Sequence, residues 1–213
     1  MNTDRLVEIL ATNLEPVKRG YLGKILGWAL FTGAVAAFLT MLATLGLRPG
    51  PFEGTHLGFM AIKILFTISL VVVGAALLLR LIRPGQTGRR LSLLLFLPFI
   101  AIGLAAITAR AVGGAAPWCN VAQGTQWTTC ILCIPLLALI PFALLIWALR
   151  NGAPTNLRQT GAVVGLVAGA MGATVYAFHC ADDSVPFIAI WYGGSIALCT
   201  FLGAQHGPRL LRW

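Results

Sequence analysis

Long apolar stretches separated by short polar breaks dominate the chain. A hydrocarbon layer about 30 Å thick takes roughly 20 residues of helix. That ruler predicts six spans: Ile25–Leu45, Leu57–Leu79, Leu91–Ile107, Cys130–Leu149, Thr160–Phe178 and Pro186–Ala204. Backbone groups in lipid must pair within their own segment, so single long apolar runs read as helices. A transmembrane barrel would instead show alternating strands of about ten residues, and the sequence has none. The breaks carry turn chemistry, as in Arg48-Pro49-Gly50-Pro51, Arg83-Pro84-Gly85 and Arg150-Asn151-Gly152. The first span is preceded by 24 residues and is long enough to cross, which argues against a cleavable signal peptide. The expected fold class is an all-α integral membrane protein, a six-transmembrane-helix bundle over residues 25–204. A tail of residues 1–24 precedes it, and a tail of residues 205–213 follows.

The leading tail has a pattern of its own. Asn2 or Thr3 can cap a helix, Asp4 and Glu8 favour its first turn, and Pro16 limits it to about three turns. Val7, Leu10, Leu14 and Val17 recur at spacings of 3, 4 and 3, which forms one apolar stripe. Such a stripe either lies on the membrane surface or is offered to the groove of a cytosolic partner. Asp4, Glu8 and Glu15 interrupt the polar face, whereas lipid-surface helices favour a basic one. Asp4, Val7, Leu10, Leu14 and Val17 are therefore the candidate partner-binding residues.

Composition narrows the class. Of 213 residues 58% are hydrophobic and 10% charged, against roughly a quarter charged in a soluble domain. That excludes an ordinary globular enzyme, and it excludes disorder, which needs low hydrophobicity and high charge. Placing the N-terminus in the cytoplasm puts 12 Lys and Arg in inside segments and only Arg48 and Arg110 outside, with Lys63 within the second span. By the positive-inside rule both termini are then cytoplasmic. The net charge of +9 reads as topology and attraction to anionic membrane lipids, with no direct nucleic-acid binding.

Candidate chemistry gathers on the opposite face. Cys119 lies in an outer loop, Cys130 and Cys133 open the fourth span, and Cys180 ends the fifth. Cys130 and Cys180 fall at the same depth on consecutive helices, so a disulfide between them is geometrically plausible, and an oxidising compartment would preserve it. Cys130 and Cys133 form a C-x-x-C, a weak redox or metal signal by itself. Cys199 sits deeper and reads as a packing residue. His179, Cys180, Asp182 and Asp183 have the chemistry of a soft or borderline metal site, set against a plain reading as a disulfide beside a hydrated acidic loop. Lys63 snorkels outward or pairs with Asp182 or Asp183. Gly161, Gly165 and Gly169 line one face of the fifth span and permit close helix approach, within the bundle or across a homodimer. Trp118, Trp127 and Trp191 mark the outer interface, Trp28 and Trp147 the inner one.

Several of these stretches together resemble the bacterial membrane-bound anti-sigma factors called negative regulator of sigma-F. They include Thr3-Asp4-Arg5-Leu6-Val7 through Leu14-Glu15-Pro16-Val17, Trp127-Thr128-Thr129-Cys130 running into Ile134-Pro135-Leu136-Leu137, and Leu149-Arg150-Asn151-Gly152-Ala153-Pro154-Thr155. His179-Cys180-Ala181-Asp182-Asp183-Ser184, Trp191-Tyr192 and Arg209-Leu210-Leu211-Arg212-Trp213 complete the set. The resemblance covers essentially the whole chain, and the cysteine positions it shares are those of Cys130 and Cys180. It implies an inhibitor in the bacterial inner membrane, with no enzymatic activity and no cofactor. Such a protein holds an ECF sigma factor through its cytoplasmic tail and releases it on periplasmic heavy-metal or oxidative stress, with Cys130 and Cys180 as sensor residues. Two other classes fit parts of the pattern. A quinone-linked membrane thiol–disulfide oxidoreductase would use the outer cysteines, and a small transporter would use Lys63 and the Gly-rich helices. The latter lacks the broken helices and charged midplane site expected of it.

Overall fold

The computed structural model describes residues 20–48, 55–82, 89–112 and 124–212. The candidate partner-binding residues Asp4, Val7, Leu10, Leu14 and Val17, together with Cys119 and Trp118, lie outside that set. The described chain is helical and contains no strand. In chain order the helices are α1 Tyr21–Thr44, α2 Thr55–Leu81, α3 Arg89–Leu94, α4 Phe96–Val112, α5 Trp127–Leu149, α6 Leu157–Tyr176, α7 Val185–Phe187 and α8 Gly193–Leu210. A π-helical turn, Ile188–Tyr192, joins α7 to α8. Six helical stretches are long and apolar enough to cross a membrane, which is compatible with a multi-pass membrane protein.

Two expected spans have more structure than a single run. The third divides into α3 and α4 at Leu95. Pro98, in the first turn of α4, has no N–H to return to the Leu94 carbonyl, so a continuous helix is interrupted there. The sixth begins at Val185 under the Ser184 side chain, which accepts a hydrogen bond from the Phe187 N–H at 3.3 Å. It continues through the π turn and ends at Leu210, so residues 205–210 lengthen the last helix instead of opening a separate tail.

Helix α6 forms the centre. Its mean hydropathy, 1.2, is the lowest of the six spans, yet 83% of its apolar window is buried; the third span, at 2.4, is 17% buried. The inversion is physical, because a helix surrounded by helices needs small side chains more than greasy ones. A Cβ on Gly161 or Gly165 would run into the backbone carbonyls of Gly203 and Cys199 in α8. On Gly172 it would lie 2.7 Å from the Ile134 oxygen of α5, and on Gly74 of α2 it would lie 2.5 Å from Val167. The Gly161, Gly165 and Gly169 face is therefore filled by α8 of the same chain, and it is not free for the homodimer contact that its spacing also allowed. Cys199 packs here, with its Sγ 3.2 Å from where a Gly169 Cβ would stand.

The girth of the bundle is the reverse. Leu65, Leu132, Leu136, Trp28 and Trp147 are all more than 60% exposed, an apolar surface far larger than water tolerates on a monomer. Replacing Gly165 with Val should cost about 3 kcal/mol, because the clash is with backbone and no rotamer relieves it. Gly58→Ala, which meets nothing within 4 Å, should leave stability unchanged. Thermal unfolding in detergent, followed by size-exclusion fluorescence, checks the contrast.

Candidate functional site

The site is assembled around a charge in the wrong place. Lys63 lies two turns inside α2, and its side chain is 1% exposed. A buried ammonium is tolerated only when paired and hydrogen-bonded. Its Nζ donates to Asp183 Oδ1 at 3.0 Å and to the Cys180 carbonyl at 3.2 Å. Arg48, just beyond α1, reinforces the same two acceptors. Its Nη2 donates to Asp183 Oδ2 at 3.0 Å, and its Nη1 to the Cys180 carbonyl at 3.4 Å. Arg48 is itself tied down by its backbone N–H, which donates to the Phe178 carbonyl at 3.2 Å. His56 Nδ1 lies 2.6 Å from Asp183 Oδ2 and 2.8 Å from Arg48 Nη2. The shorter separation calls for a proton on Nδ1 donated to the carboxylate.

Asp183 thus receives three cationic or polar donors. Burial alone would raise its pKa, but the hydrogen bonds from Arg48, His56 and Lys63 outweigh that and hold it at about 2. The neighbouring acid does a different job. Asp182 accepts from the Thr125 N–H at 3.0 Å, the Thr125 hydroxyl at 2.9 Å and the Gln126 N–H at 2.8 Å. It caps the start of α5 from a distant loop, where a carboxylate also meets the positive end of the helix dipole. Gly124 makes that approach: it takes φ +57°, and a Cβ there would collide with Phe187 and with Asp182 Oδ2 at 2.8 Å.

These two anchorages place Cys180. Leaving α6, the chain tightens, with the Cys180 and His179 N–H groups both bonding the Tyr176 carbonyl at 3.0 Å. The Cys180 thiol is fully buried, as is that of Cys130 in the first turn of α5, and both are free thiols in this structure. They are hydrogen-bonded to each other; the Cys130 donor, aided by the Lys63 charge, lowers the Cys180 pKa against the opposing effect of burial. Two fully buried tyrosines close the pocket. Tyr176 approaches Cys130 and Tyr192 approaches Cys180, the ring centroids are 6.0 Å apart, and neither hydroxyl makes a hydrogen bond of standard geometry. The π turn is what presents Tyr192. One extra residue per turn rotates the chain relative to α8, a device common at functional sites.

The expected ligands His179, Cys180, Asp182 and Asp183 do not converge. His179 Nδ1 is directed to the Gly46 carbonyl at 3.1 Å, Asp182 to α5 and Asp183 to its cations. Among the described residues no group of three or more His, Cys, Asp or Glu is placed to hold a metal. Of the site residues, Cys130 and Cys180 are brought together. Cys133 is half-buried at the edge of the core. Arg48, His56, Tyr176 and Tyr192 join the site without being among the residues the sequence pattern points to. A signal for the cations was present in the lone charge within the second span, which required an acid at its depth. No periodicity flags the tyrosines, which the π turn brings in.

Fold and site define a helical protein of multi-pass membrane proportions with a sealed thiol and ion-pair centre at one end of the bundle. The chain belongs to the family described as negative regulator of sigma F, which it matches over residues 10–213. It is 33% identical over 221 residues to the anti-sigma-F factor NrsF of Caulobacter vibrioides, and 32% identical over 215 residues to the probable anti-sigma-F factor NrsF of Azospira oryzae. Both chains are covered completely in each comparison. The family's role is regulatory. No solved structure matches the chain.

Two outcomes follow from the ion-pair geometry. Asp183→Asn strands the buried Lys63 charge and should cost about 3–5 kcal/mol. Lys63→Gln should cost less, because Asp183 keeps Arg48 and His56; thermal unfolding of the two variants checks the order. Because Asp183 sits below its ordinary value of 3.8, its contribution is fully present above that value. It should be lost as pH falls from about 4 toward 2, read as a drop in Tm that Asp183→Asn no longer shows.

Proposed function

We propose that this chain is an anti-sigma factor of the bacterial inner membrane. Its residues 1–24 face the cytoplasm and hold an ECF sigma factor through Asp4 and the stripe Val7, Leu10, Leu14 and Val17. The positive-inside count supports that orientation, and full-length similarity to two anti-sigma-F factors supports the partner class. The observation that carries the reading is the site's position. Cys180 is bonded through Arg48, which follows α1, so the thiols lie at the end of the bundle away from Tyr21. Tail and thiols then occupy opposite faces.

The periplasmic signal acts on Cys130 and Cys180. An oxidant that accepts two electrons closes a disulfide: both S–H bonds break, one S–S bond forms, and two protons leave with the electrons. A thiophilic metal ion binds the same two sulfurs with loss of the same protons. Either event replaces the thiol hydrogen bond and displaces Tyr176, the last residue of α6, and Tyr192, the last residue of the π turn into α8. Signal transfer requires two packings of the bundle, and inverting a 1:99 population takes about 5.5 kcal/mol of differential stabilisation.

Deleting residues 1–20 should abolish capture of the sigma factor while leaving the protein in the membrane fraction. Retained pull-down would overturn the tail assignment. Cys130→Ser and Cys180→Ser should each change the output of a sigma-dependent reporter under metal or oxidant stress by about tenfold, the effect of a coupling near 1.4 kcal/mol. Unchanged output in both would remove the sensor role.

A further inference from the structure

At the end of the bundle opposite the thiols, the start of α6 and the end of α8 form an open cup of about 510 Å³ lined by Arg158, Gln205, His206, Pro208, Arg209 and Arg212. Three guanidinium groups share this recess. The carboxylates among the described residues are Asp182 and Asp183, and every ion pair found there is made by Asp183. Those acids precede α8, an 18-residue helix about 27 Å long at 1.5 Å per residue, whereas the cup lies at its far end. No described carboxylate reaches the cup.

Two apolar grooves flank α8 and open beside this recess. One, of about 260 Å³ between α5, α6 and α8, runs past Pro135, Phe142 and Leu202 to His206. The other, of about 530 Å³ between α3, α4, α6 and α8, runs past Phe96, Leu166 and Phe201 to Ala204. His206 also lines the cup, and so does Ala204, so each groove borders the cup at one shared residue. From His206 back to Cys199 the first groove runs seven residues, or about 10 Å, into the apolar body. Leu198, Phe201 and Leu202, on the α8 surface between the grooves, are 40–56% exposed.

A cationic recess at the level where the apolar helices end, opening into apolar channels along their length, complements one kind of molecule. We propose that it binds an anionic phospholipid, with the phosphate held by Arg158, Arg209 and Arg212 and the acyl chains in the flanking grooves. Guanidinium forks match phosphate oxygens in pairs, and basic pockets between transmembrane helices are suited to anionic headgroups. An acidic peptide would satisfy the arginines but leave both grooves unfilled. This site is independent of the thiol centre and of the tail's partner. It implies that the packing of α6 against α8 responds to the lipid composition of the leaflet.

Native mass spectrometry of the full-length protein, titrated in detergent with phosphatidylglycerol or phosphatidylcholine, tests it. Phosphatidylglycerol should be retained in preference. Combining Arg158→Gln, Arg209→Gln and Arg212→Gln should weaken that retention about 10- to 100-fold. The charge-matched set Lys24→Gln, Arg80→Gln and Arg90→Gln should change it less than about twofold. Equal losses in the two sets would reduce the effect to surface charge and overturn the site. Inorganic phosphate competing as well as the lipid would overturn the role of the grooves. Phosphatidylglycerol binding seen only after deletion of residues 1–19 would assign the cup to the carboxylates of the chain's own leading segment, Asp4, Glu8 and Glu15, instead.

Discussion

A lysine inside an apolar helix is the constraint from which the rest of the outer end follows. Lys63 cannot face lipid at its depth without a partner, and no acid occurs on its own helix. The fold meets that need by folding the segment after α6 back over α2, so that Asp183 and the Cys180 carbonyl both reach the ammonium. Arg48 joins from the connection after α1 and His56 from the first turn of α2, and the carboxylate becomes the point where these elements are tied to the segment after α6. The position of Cys180 is a consequence. Its backbone is clamped by two cations, its thiol is pressed against Cys130, and Asp182 locks the helix that carries Cys130.

The second constraint is distance between backbones. Lipid supplies no hydrophobic drive for helices to associate, so close contact has to come from small residues. Here α6 turns Gly161, Gly165 and Gly169 toward α8, which answers with Gly203 and Gly207, and turns Gly172 toward α5. These contacts run from the thiol end toward the arginine cup, so the most intimate interface of the bundle connects its two polar ends. A change in how Tyr176 and Tyr192 pack bears directly on the helices that form it.

Much of the architecture is legible without coordinates, because twenty apolar residues in a row leave few alternatives to a spanning helix. The breaks inside spans are harder to read. Pro98 announces one, but the π turn at Ile188–Tyr192 arises from packing and has no sequence signature. At the outer end, the juxtaposition of Cys130 with Cys180 is legible from depth and topology. The metal set was misleading because His179, Cys180, Asp182 and Asp183 are near neighbours along the chain, while an irregular segment sends adjacent side chains in different directions. The glycine face was read correctly as a close-contact surface. Its partner, within the chain or between chains, was not legible, since the spacing is the same for both.

The central claim is that the loop after α6 holds Cys180 against Cys130 in preference to any other thiol. Mild oxidation of the membrane-reconstituted protein with diamide, followed by peptide mapping, tests it directly. A Cys130–Cys180 cross-link as the dominant product is the predicted result. Dominance of a Cys130–Cys133 bridge, or of any bridge to Cys119, would contradict it.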